Sequence, residues 1–101
     1  MSPEIAARLA DLNIQLAAQA RDYCLFARGN CLALVQAAGE TFTSIGASGM
    51  MTENGIAYLL WREGVPVLAA HGGHERPATP EEVETVRRFS EDLKLTLGLP
   101  Q

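Results

Sequence analysis

A chain of 101 residues and 10.9 kDa has room for one hydrophobic core, so residues 1–101 read as a single domain. Hydrophobic residues at 48% and charged residues at 20% exclude a disordered chain, and the length excludes large enzyme folds such as α/β-hydrolases, TIM barrels and full dinucleotide-binding domains. The net charge is −4 with Lys94 the only lysine, so no basic cluster exists to grip a nucleic acid backbone or an anionic membrane surface.

The first helix is marked by Ser2 as N-cap, Pro3 at the first helical position and Glu4 at the positive helix end. Ile5, Leu9, Leu12 and Leu16 recur at helical spacing among many alanines, which predicts a helix over about residues 3–20. The period then changes. Residues 23–28 and 31–36 flank Gly29-Asn30, a pair suited to a type II′ hairpin turn. Pairing Arg28 with Cys31 sets Phe26 opposite Ala33 and Cys24 opposite Val35. Cys24 and Cys31 then lie roughly 13 Å apart at about 3.3 Å per residue, beyond disulfide reach.

Residues 37–49, rich in glycine, serine and threonine, make a poor helix; a strand over Thr41–Ile45 is expected, broken near Gly46 and Gly49. Asn54-Gly55 signals a second hairpin joining residues 50–53 to 56–62, and Glu63-Gly64 a third, leading into residues 65–70. Pro66 donates no ladder bond, which places this strand at an edge or turns that position outward. A glycine-rich loop, His71 to Ala78, leads to a capping box in Thr79-Pro80-Glu81-Glu82. Val83, Val86, Phe89, Leu93 and Leu97 form the apolar stripe of the second helix, and Gly98, Leu99 and Pro100 form its stop.

The expected fold is therefore α+β: an antiparallel β-meander of about five strands, flanked by an N-terminal and a C-terminal helix. In the hairpin over residues 56–70 both sheet faces are apolar, with Ile56, Tyr58, Leu60, Val65, Val67 and Ala69 on one and Ala57, Leu59, Trp61, Pro66, Leu68 and Ala70 on the other. Two helices each about 10 Å wide cover close to one face of a five-stranded sheet. The other face is expected to meet a second copy in a two-fold dimer. The competing arrangement puts one helix on each face.

Chemistry-bearing residues are sparse. His71, His74 and Glu75 are the only clustered metal-ligand types, but H-x-x-H-E with glycines at 72 and 73 is not a zinc-peptidase helix, and no metal is assigned. Arg76 offers a bidentate anchor for a carboxylate. Cys31, beside the first hairpin turn and near Arg28, reads as the more accessible thiol, whereas Cys24 reads as core. Met50 and Met51 beside Tyr58 and Trp61 suggest packing or interface filler before a small-molecule pocket. No catalytic residue or cofactor can be named. Two cysteines without a CxxC spacing, and no apolar leader or membrane-length segment, point to a cytoplasmic protein. The leading expectation is a non-enzymatic homodimeric interaction or small-ligand-binding module, with a protein or small molecule as further partner. The alternative is a small metal- or thiol-dependent enzyme using the His71–Arg76 loop and Cys31.

Overall fold

The segment between the two helices folds into one antiparallel sheet whose strands follow chain order. In a computed structural model that describes residues 1–99, the elements are α1 (Pro3–Asp11), β1 (Gln15–Gln19), β2 (Tyr23–Arg28), β3 (Cys31–Ala38), β4 (Thr41–Thr52), β5 (Gly55–Arg62), β6 (Val65–Ala70), β7 (Glu75–Pro77) and α2 (Pro80–Leu97). The sheet order is β1-β2-β3-β4-β5-β6-β7. The α+β meander with a helix at each end is as expected, with seven strands rather than five.

Both extra strands have local causes. The first helix stops at Asp11, not near residue 20. Asn13 takes the left-handed conformation, φ 58°, and its N–H donates to Ala10 O while the Ile14 N–H donates back to Leu9 O. That pair of bonds is a Schellman closure, sealed by contact of Ile14 with Leu9, both buried. Gln15–Gln19 is thereby released to pair with β2, and Leu16, expected on the helix stripe, stands 43% exposed. At the other end, the loop from His71 to Ala78 contains a short 3-10 turn (His71–Gly73) and the strand β7, which pairs with β6. β7 is therefore the edge strand, and β6, with Pro66 opposite Trp61, lies inside the sheet.

The hairpin registers agree with the sequence reading. Arg28 pairs with Cys31, Phe26 with Ala33 and Cys24 with Val35, and Gly29 has the positive φ, 58°, needed at the first position of its turn. The expected break in residues 41–49 is instead a continuous twelve-residue strand, β4, whose ladder with β3 slips twice through bulges. Gly49 sits mid-strand, where the backbones of β4 and β5 come unusually close. In a strand, glycine here marks crowding rather than an ending.

Both helices pack on the same sheet face, rather than one on each. Phe89 and Leu93 of α2 and Leu9 of α1 share a buried cluster with Phe26, Ala33 and Val35. Each large side chain removed from water here stabilises the fold by about 1.5–3 kcal/mol. Arg28 ties the layers: its guanidinium lies 5.5 Å from the Phe89 ring centroid, donates to Asp92 Oδ2 at 2.8 Å, and reaches the Leu12 carbonyl at 3.4 Å. α2 itself is held as the sequence implies. Thr79 and Glu82 form the reciprocal capping box, and Gly98 (φ 71°) with Leu99 closes the C-terminus. Pro100, the last residue of the expected stop, lies outside the described residues.

Candidate functional site

The face opposite the helices is left uncovered by either of them. Strand alternation puts Leu25 and Ala27 (β2), Leu32 and Leu34 (β3), Met51 (β4), and Ile56, Tyr58 and Leu60 (β5) on this side. Val65, Val67 and Ala69 of β6 continue it. Leu32 and Val67 are almost buried by their neighbours, whereas Tyr23, Leu34, Met51, Tyr58 and Val65 are each 37–51% exposed. The charges that fall at its margin, Arg62 and Glu75, are paired with each other at 3.1 Å. A sheet face meeting water normally carries polar side chains at alternate positions. This one is apolar across five adjacent strands except toward one end, where Ser44 Oγ donates to Gln36 Oε1 at 2.9 Å.

The His71–Arg76 segment closes one end of the sheet, but its side chains do not converge. His71, in the 3-10 turn, lines a hollow on the bare face with Ile56, Tyr58 and Ala69. His74 lines a different, smaller cavity of about 180 Å³, beside Ala57, Leu68 and Arg76 on the helix-covered side. Gly72 and Gly73, both at φ above 80°, turn the chain between them. Among the described residues no group of three or more His, Cys, Asp or Glu side chains is placed to hold a metal ion. Glu75 is engaged by Arg62.

Arg76 is also occupied. It forms a bidentate pair with Glu82 at 2.8 and 2.7 Å, so the anchor expected for a ligand carboxylate is filled from within the chain. The same Glu82 carboxylate accepts from the Thr79 backbone N–H. Arg76 first, and that backbone bond second, hold the Glu82 carboxyl down to about 2. Along the chain the capping box and Arg76 stand apart, and a six-residue spacing across a turn carries no signal of the pair.

Cys31 corrects another expectation. It is buried at 3% exposure beneath α2, with its thiol directed at the Thr85 carbonyl at 3.9 Å. Burial pushes its pKa up, against the opposing pull of Arg28, and burial raises Cys24 as well. Both are free cysteines with the character of core residues. The Met/aromatic group also divides: Met51 and Tyr58 lie on the bare face, Met50 and Trp61 on the helix side. Compared with protein-family models, with curated proteins and with solved structures, this chain matches none.

Proposed function

We propose that this protein is a non-enzymatic homodimeric interaction module in which the bare sheet faces of two copies pack together. The observation that carries the reading is that α1 and α2 share one face while the opposite face is largely apolar, its Gln36 and Ser44 bonded to each other, and carries no unpaired charge across β2–β6. Five strands spaced about 4.8 Å, each presenting about 20 Å of length, give a footprint near 500 Å² per copy. Two such footprints, enlarged by side-chain relief, reach the roughly 1,000 Å² or more that a specific interface buries. A two-fold arrangement suits it because a single patch is then complementary to itself.

An enzyme built on the His71–Arg76 loop has less support, since Arg76, Glu75 and Cys31 are each engaged or buried by the fold and the two imidazoles face separate hollows. Sedimentation velocity between about 1 and 100 µM tests the proposal. The wild type is expected to run as a dimer of twice 10.9 kDa, and Tyr58→Glu, which places a charge in mid-face, as a folded monomer. A wild-type monomer across that range refutes the proposal.

A further inference from the structure

On the helix-covered side, α2 runs over β3 and β4 and leaves the far end of β5 open. The result is a cleft of about 560 Å³ between helix and sheet, within the range of small-molecule sites. Its walls are apolar: Ile45, Leu59 and Trp61 from the sheet, Val83 and Val86 from the helix. Trp61 is 61% exposed although it lies on the face where the core forms. An indole is the largest apolar side chain available, and here it borders a groove that no part of the described chain fills.

The polar rim decides what fits. Arg87 is consumed by Glu84, at 2.6 and 3.0 Å, and by Glu91, at 2.5 Å, which also neutralises Glu91. Lys94 forms no ion pair among the described residues and stands at the same rim. Ser48 and Ser90 add hydroxyl donors on either side. The cleft thus combines an aliphatic floor, an exposed indole and one surplus positive charge, in a protein that is acidic as a whole.

We propose that this cleft binds a small amphipathic carboxylate, its medium-length apolar chain lying along Leu59, Val86 and Trp61 and its carboxylate against Lys94. The site lies on the face opposite the proposed dimer contact, so each stands or falls separately. Trp61 is the only tryptophan in the chain and reports binding directly. Octanoate, 1-octanol and octylamine are titrated against the full chain while Trp61 emission is followed. Octanoate is expected to shift the emission to the blue, saturably, with affinity at least tenfold above that for the alcohol or the amine. Lys94→Gln is expected to remove this preference while leaving alcohol binding and the circular dichroism spectrum unchanged.

No saturable change up to about 1 mM octanoate overturns the proposal, as does equal binding of all three compounds or an unaltered preference in Lys94→Gln. Octanoate binding that is lost in Tyr58→Glu but kept in Lys94→Gln places the ligand on the bare face and also overturns it. If emission shifts on dilution of the protein alone, a second copy occupies the cleft, and the carboxylate assignment is wrong.

Discussion

Gly49 and Gly46 lie three residues apart in β4, and the structure assigns them opposite sensitivities to the same change. A methyl group added at Gly49 would lie 2.8 Å from the Ala57 carbonyl carbon and 2.9 Å from Tyr58 Cα, nearer still to the Ala57 carbonyl oxygen. All three atoms are backbone, so no side chain can swing aside. Restoring ordinary contact moves β5 from β4 by about an ångström, enough to break the ladder bonds around Gly49–Tyr58 and Met50–Ala57. Two to four bonds at about 1 kcal/mol each, less about 0.5–1 kcal/mol from the reduced backbone freedom of alanine, give a net loss of roughly 2–3 kcal/mol. At about 4–8 °C per kcal/mol, Gly49→Ala is expected to lower Tm by some 10–20 °C. A methyl at Gly46 meets one atom, the Leu34 carbonyl oxygen, at 3.4 Å, and Gly46→Ala should stay within about 1 kcal/mol of the wild type. Urea unfolding followed by circular dichroism at fixed protein concentration measures both. Equal effects of the two substitutions, or a neutral Gly49→Ala, would show that β4 and β5 are not paired in this register.

The turn between β5 and β6 holds Glu63 at φ 53° and Gly64 at φ 81°, the type I′ pattern that favours asparagine first, so Glu63→Asn should raise stability by roughly 0.5–1 kcal/mol; a lower urea midpoint would contradict that geometry. Glu82 has its carboxyl lowered by Arg76 and the helix cap, so its contribution is complete above the ordinary carboxyl value near 4.5 and fades as pH falls toward about 2. Because the pair is partly exposed, that contribution is discounted to about 1–2 kcal/mol, and Glu82→Gln should flatten the acid-side loss of stability; an unchanged pH profile would mean that the pair contributes nothing. Cys24 and Cys31 should react with a disulfide reagent at least about a hundredfold more slowly in the native protein than in urea, and labelling of either within mixing time would show that the thiol is exposed.

Features that rest on local chemistry are legible along the chain. Thr79, Pro80 and Glu82 start a helix wherever they occur before an apolar stripe, and Gly98 ends one because glycine enters the left-handed region without strain. Gly29-Asn30 and Glu63-Gly64 fix their hairpins, and with them the face assignment of every residue in β2, β3, β5 and β6. What went unread was the same chemistry in a weaker residue. Asn13 closes α1 with the bond pattern that Gly98 uses in α2, but asparagine occupies many other conformations, and the alanines beyond it favour helix.

The remaining features depend on packing between segments distant along the chain. Gln-Leu-Ala-Ala-Gln becomes β1 because β2 offers a free edge, a preference that no property of those five residues expresses. The helices share one face because the buried stripe of α2 and Leu9 of α1 meet the same side chains of β2 and β3. That choice buries Cys31, and the fold of β7 onto β6 brings Arg76 to Glu82 and sends His71 and His74 to opposite sides of the sheet. Burial, pairing and exposure are relations between distant segments; spacing along the chain fixes which side of a strand a residue takes, and packing fixes what it meets there.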